Sequence, residues 1–450
     1  MTNAPLPPGR LGLPWIGETM SIARNNHKFY RDHLAKYGPV FKTRLFGVNF
    51  VIVSGHEAFH QFATDPRVER GGTDPISVEQ MFFESLALVD GQEHHSRKDV
   101  MLHAVRTDEA MAAYLERMQR VWSAHVDQWA EDGSATLRPD LQLASAQLTG
   151  ALYTGDESKV HVDELNQILA AMRYSLQILP LPIPGTPYAK ALKGRKRLDV
   201  LITQAIERHQ QHPEEYDDIV SRMLAEAPKH GVAVENLHGD VRHLIFAGQA
   251  GFFVPFILLT MVLGQRPDLR ERAREEVLAV SPEGQVTMEQ LARMDYLGQL
   301  SKEVRRHFAM NSSTFFGKAV DDLEIGGYHV PKGWGMIGAI HINMRNADNF
   351  EDPDTFDPER FSPEREAALA PGSYVPHGDG ERNHHRCPGE DMVTIAIKIY
   401  LTLLLRKLDW SLPPQDLTLT NELFPLPASG LKVSFTRVAD DIAAYYKEHL

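Results

Sequence analysis

The chain has 450 residues, 47 Lys and Arg against 60 Asp and Glu, and 43% apolar residues; its formal net charge of −13 argues against a nucleic-acid binder. This composition supports a large buried core and excludes a disordered, collagenous or coiled-coil chain. A single cysteine, Cys387, excludes an intrachain disulfide, and the opening MTNAPLPPGR lacks the basic-then-apolar order of a signal peptide, so a reducing, cytoplasmic setting is expected.

Residues 1–20 read as an extended arm, because PLPPGRLGLPWIG (Pro5 to Gly17) is dense in Pro and Gly. His27 to Tyr37 follows helical periodicity, and Val40 to Ser54 alternates β-formers around Phe46-Gly47, which predicts a hairpin. From Asp108 to about Glu276 the pattern is mostly helical, broken by LPLPIPGTP at Leu179 to Pro187. Leu244 to Leu263 carries only Gln249 and Thr260 as strongly polar residues and is long enough to cross about 30 Å of lipid. Gly248, Gly251 and Pro255 in its middle, with polar chain on both sides, favour a buried core helix over a membrane span. A helix is expected at Met288 to Phe308, short strands around Leu323 to Val330 and Gly335 to Ile340, a loop-rich stretch at Asn346 to Arg382, a helix at Met392 to Leu405 and a strand at Leu431 to Arg437. The expected class is mainly α (α+β), with strands near both ends.

Two local patterns carry chemistry. Cys387 lies in HHRCPGEDM just before an apolar helix, where the helix dipole and Arg382, His384, His385 and Arg386 would stabilise a thiolate. Taken alone it fits a buried structural thiol, a zinc site with His384 and His385, or a nucleophile with a His partner. Glu303 and Arg306 in SKEVRRHF are three residues apart on one helix face, and Arg360 in FDPERF offers a third member of an ion-pair set.

In order and spacing, the arm, the hairpin, DGQEHHSRKDV, Ala247-Gly248, the Glu303–Arg306 pair, PERF at Pro358 to Phe361 and RCPGE around Cys387 resemble the cytochrome P-450 superfamily over nearly the whole chain. The resemblance implies one domain of that fold over residues 1–450, binding heme b (iron protoporphyrin IX) with Cys387 as thiolate ligand of the iron. It implies a buried triad of Glu303, Arg306 and Arg360 bracing the cysteine loop, His94 and Lys98 on one heme propionate, and Lys318 and His385 near the other.

The chain departs from the family pattern twice. Gly380 and Asn383 replace the usual Phe and Gly of the cysteine loop, which is lengthened in a way similar to bacterial fatty-acid peroxygenases and plant hydroperoxide-rearranging members. The oxygen-activating stretch reads Ala247-Gly248-Gln249-Ala250-Gly251-Phe252, so Ala250 holds the acid position and Gly251 the alcohol position. Neither can relay a proton, which leaves Gln249 to orient a water. A heme-thiolate site without proton delivery suits an oxidant that already carries its O–O bond. The expected activity is oxygen insertion into a lipophilic small molecule such as a fatty acid or terpenoid, with dioxygen or with a peroxide. The alternatives are a hydroperoxide isomerase or dehydratase (allene-oxide-synthase-like) and a non-catalytic heme-based sensor or ligand carrier.

By analogy with the family, Met81, Phe82, Phe246, Phe252, Phe253, Thr314 and Leu426 line the substrate pocket. Arg242, eight residues before Ala250 and about 12 Å along a helix, is too far away to copy the peroxygenases' carboxylate-binding Arg. Arg97, Lys98, Arg382 and Arg386 would form a positive patch for an acidic ferredoxin or flavodoxin, a partner that a peroxide-driven enzyme does not need.

Overall fold

The computed structural model describes residues 4–438. The predicted hairpin is formed by β1 (Val40–Leu45) and β2 (Val48–Val53), in register from Val40 opposite Val53 to Leu45 opposite Val48. Phe46 (φ 52°) and Gly47 (φ 85°) both take the left-handed conformation that a tight two-residue turn demands. The arm lies along this hairpin: Lys42 donates its N–H to Pro8 (2.8 Å) and Glu18 donates to Arg44 (2.7 Å). A Cβ at Gly9 would sit 2.2 Å from the Lys42 carbonyl oxygen, so only glycine allows the arm this close.

Ten short strands are present among the described residues. β3 (Val68–Arg70), β4 (Ser134–Thr136), β5 (Gly317–Ala319), β6 (Leu323–Ile325), β7 (Tyr328–Val330), β8 (Gly335–Gly338), β9 (Leu408–Ser411) and β10 (Lys432–Arg437) complete the set. They form a sheet of order β1-β2-β8-β5-β3, a sheet of order β4-β10-β9, and the β6-β7 hairpin. The rest is dominated by helix, as expected.

The helix Val234–Gln265 runs 32 residues, about 48 Å, through the centre of the molecule. It is the one helix among the described residues long and apolar enough to cross a membrane, and 83% of its most apolar window is buried inside the protein. Its apolar character therefore serves packing inside the protein. Phe256 stacks on Tyr400 at 4.4 Å, with Trp122 against both, and Thr260 hydrogen-bonds the Tyr400 hydroxyl at 2.7 Å.

The structure corrects two predicted boundaries. Met288 to Phe308 is two helices, Met288–Ala292 and Asp295–Phe308, because the Glu276 carboxylate accepts the N–H groups of Tyr296 (2.7 Å) and Leu297 (2.9 Å) and starts a new helix there. Gly335 to Ile340 leaves the sheet after Gly338 and turns into the helix Ile340–Asn343. The LPLPIPGTP break is a surface loop, and Thr186 caps the next helix, Pro187–Gln211, whose first residue is proline.

Candidate functional site

A cavity of about 1970 Å³ lies between the central helix and the cysteine loop, lined by Cys387, Pro388 and Gly389 together with Ala247, Gly248, Ala250, Gly251 and Phe252. The cysteine is held by its backbone: its N–H donates to the His377 carbonyl at 2.8 Å. The His377 ring meets the Arg305 guanidinium at 2.9 Å, and Arg305 also donates to Thr394 Oγ1 (2.9 Å) and to the Ser301 carbonyl (2.8 Å). This buried arginine ties the cysteine loop to the helix Asp295–Phe308 and to the helix Glu390–Lys407. Burial pushes the Cys387 thiol up, while the Gly389 N–H and Lys98 oppose that shift.

Glu303 and Arg306 form a buried two-point ion pair (2.7 and 2.8 Å). Arg306 also donates to the carbonyls of Met344, Pro353 and Thr355, and Glu303 accepts the Asp357 N–H. Arg360 lies 3.8 Å from Glu303 and spends its remaining donors on the Glu351 and Asp352 carbonyls. The triad exists, but its direct contacts brace residues 344–357. Arg305, next in sequence to Arg306, is what reaches the cysteine loop, and sequence reasoning missed it because adjacent residues on a helix face different neighbours.

His94, Lys98 and His385 all line the cavity. Burial lowers His94 to about 3, Lys98 to about 8 and His385 to about 2. The His94 and His385 rings pack at 4.1 Å, and His385 meets Asp90 at 2.8 Å. His94 Nε2 is buried with no partner. Lys318 is a correction: it lies outside the cavity wall, on β5 opposite Glu69. Strand alternation turns its neighbour Gly317 toward the Arg70 guanidinium, and half-buried Arg70 supplies the cation there, donating to the Phe315 carbonyl at 3.0 Å.

Gln249 is a second correction. It is fully buried on the face of the central helix turned away from the cavity, where its side-chain oxygen accepts from Arg173 and its amide donates to Gln142 O and Asn166 Oδ1, each at 3.2 Å. It cannot orient a water in the cavity. Among the expected pocket residues, Phe82, Phe246, Phe252 and Thr314 line the cavity, whereas Met81, Phe253 and Leu426 pack into the core. Phe253 shares the turned-away face with Gln249, under the Arg173 guanidinium (5.2 Å).

The positive patch is also corrected. Arg97 is buried and paired with Asp240 and Glu93 (2.8 Å each), and Lys98 is buried. Arg386 pairs with Glu390 (2.9 Å) and Arg382 with Asp391 (3.3 Å). Arg242 is likewise engaged, with Asp199 and the Phe83 carbonyl, and does not line the cavity.

Tyr153 and His243 line the cavity unanticipated. A Cβ at Gly248 would lie 2.7 Å from Tyr153 Oη, so glycine is what lets the phenol pack on the helix backbone. The donor set fits thiolate-ligated heme: a lone sulfur on the wall, buried Lys98 and half-buried Arg70 as cations for two carboxylates, and the unpartnered His94 Nε2 beside them.

Comparison with known proteins agrees with this fit. The family profile described as Cytochrome P450 matches residues 7–435. "Putative cytochrome P450 120" of Synechocystis sp. is 30% identical over 441 residues, covering 96% of this chain and 97% of its own. Abscisic acid 8'-hydroxylase 1 of Oryza sativa subsp. japonica is 27% identical over 444 residues, 96% of this chain and 91% of its own. A solved structure of retinoic acid bound cyanobacterial CYP120A1 superposes with TM-score 0.87 at 29% identity, covering 97% of this chain and 100% of that one. Ligand-free cytochrome P450 OleT shares the fold, with TM-score 0.79 at 19% identity over 94% of this chain and 98% of that one.

Proposed function

The chain belongs to the cytochrome P450 family, and from that premise we propose that it inserts oxygen into a lipophilic, terpenoid-like small molecule, using a peroxide as oxidant. Heme, which the Cys387 thiolate would hold, would supply the oxygen-transfer chemistry, since thiolate donation favours O–O cleavage. The protein's own part is to hold, orient and keep dry. Lys98, Arg70, His94 and His385 would hold the heme carboxylates, and Arg305 would keep the cysteine loop in place through His377. Phe82, Phe246, Phe252 and Phe315 would exclude water and present an apolar wall to the substrate.

The observation that carries the reading is the wall at Ala250 and Gly251, which offers no titratable side chain at either relay position, while Gln249 faces elsewhere. The pairing of Arg382 with Asp391 and of Arg386 with Glu390 supports it further, because these two arginines are then not free to attract an acidic electron donor. The terpenoid class rests on the abscisic acid hydroxylase and the retinoic-acid-bound structure.

The test is single-vial turnover of retinoic and abscisic acids by the heme-loaded protein. One arm contains hydrogen peroxide alone; the other contains ferredoxin, reductase and NADPH under catalase. Hydroxylated product in the peroxide arm is expected. Product only in the reductase arm overturns the choice of oxidant, and conversion of a fatty-acid hydroperoxide without oxygen transfer to retinoic acid would indicate the isomerase instead.

A further inference from the structure

His243 faces the cavity from the same stripe of the central helix as Ala247 and Gly251, at spacings of four and eight residues. Its ring sits among aromatic neighbours, 5.1 Å from Phe82 and 5.5 Å from Phe315. Among the described residues, neither ring nitrogen has a hydrogen-bond partner. Burial lowers its pKa to about 4, with Lys98 and Arg242 acting in the same direction, so the imidazole is neutral at pH 7 and presents one N–H donor and one lone pair. The residue is half-buried and lines the cavity, so its ring is open to a ligand there.

We propose that His243 is the hydrogen-bond anchor for an oxygen function, a hydroxyl or a carboxylic acid, on an otherwise hydrocarbon substrate, and so determines which end of the molecule enters the aromatic pocket first. This rests on the reading of the cavity as a lipophilic substrate site. A hydroxyl receives the N–H or donates to the free ring nitrogen, and Phe82 and Phe315 shield that bond from water, which is what makes it discriminating.

The experiment measures equilibrium binding to the heme-loaded protein, followed by the Soret shift, for two matched pairs: farnesol against farnesene, and retinol against its deoxy hydrocarbon. The readout is the alcohol-to-hydrocarbon affinity ratio in wild type, H243F and H243Q. Phe keeps the ring packing and removes the hydrogen bond, whereas Gln restores a donor and an acceptor. The expected result is a ratio about tenfold lower in H243F, equivalent to about 1.4 kcal/mol, with hydrocarbon affinity unchanged and the ratio partly recovered in H243Q. An unchanged ratio in H243F, or equal losses for alcohol and hydrocarbon, overturns the anchor while leaving the lipophilic cavity standing. Failure of all four compounds to bind wild type overturns the cavity reading and the anchor with it.

Discussion

Replacing Glu303 by alanine leaves the Arg306 guanidinium in the protein interior without a counter-charge. Both side chains are fully buried, and two hydrogen bonds of 2.7 and 2.8 Å are lost, together with the acceptor for the Asp357 N–H. The three carbonyls of Met344, Pro353 and Thr355 still receive Arg306, but dipoles compensate a buried charge only in part. Breaking a buried pair from one side costs about 3–5 kcal/mol, a large share of the total for a domain that is stable by about 5–15. The assay is urea unfolding of wild type, Glu303→Ala, Arg306→Ala and the double variant, with heme per protein measured by absorbance. Because either single change orphans the other group, the double variant should cost less than the sum of the singles by about 2–3 kcal/mol. Additive losses, or a Glu303→Ala cost below about 1 kcal/mol, would refute the argument that the two act as one buried unit.

Arg305→Met removes the link from His377 to the helix Asp295–Phe308. It should lower the fraction of reduced, carbon-monoxide-treated protein that shows the red-shifted thiolate Soret band, and Cys387→Ser should abolish that band. Gly248→Ala drives a methyl to 2.7 Å from Tyr153 Oη and should cost about 1–3 kcal/mol in thermal or urea unfolding, a loss that adding Tyr153→Phe relieves. Outside the cavity, burial holds His27 at about 4, His307 at about 3 and His341 well below its ordinary range. All three are therefore neutral in the fold and take up protons on unfolding below about pH 6.5, so their stabilising share is full above that pH and is lost as pH falls toward 4. Near pH 5 the three histidines contribute a slope of about 4 kcal/mol per pH unit, three protons at about 1.4 each, and Asp74, which burial holds at about 6, takes back one proton, so these four groups together leave about 3. Proton uptake measured by unfolding titrations from pH 7 to 4.5 checks it.

Much of this was legible in the chain because the signals were local. Phe46-Gly47 between alternating strands specifies its own turn, and an apolar run as long as Leu244 to Leu263 can be only a core helix or a membrane span. Cys387, Glu303 and Arg306 announced themselves by residue type and spacing. What stayed hidden depended on which way a side chain points. Lys318 and Gly317 differ by one strand residue and face opposite sides, so the cation at that place comes from Arg70 on the neighbouring strand. Gln249 and Ala250 differ by about 100° around the helix, which sends one into the core and the other to the cavity. His243 stood beside the notable Arg242, yet nothing in its sequence surroundings signals an unpartnered imidazole between two phenylalanines.

The surface loop that joins the helices Lys159–Ser175 and Pro187–Gln211 displays Leu179, Leu181 and Ile183, each half or more exposed. Aliphatics so displayed are the usual raw material of aggregation, since a second extended chain can add alongside and build a ladder. Here Pro180, Pro182, Pro184 and Pro187 interrupt the row of amide hydrogens such a ladder requires. The stretch stays oily without becoming a template, so Pro182→Ala with Pro184→Ala is the pair of changes that would expose the enzyme to fibril-type self-association.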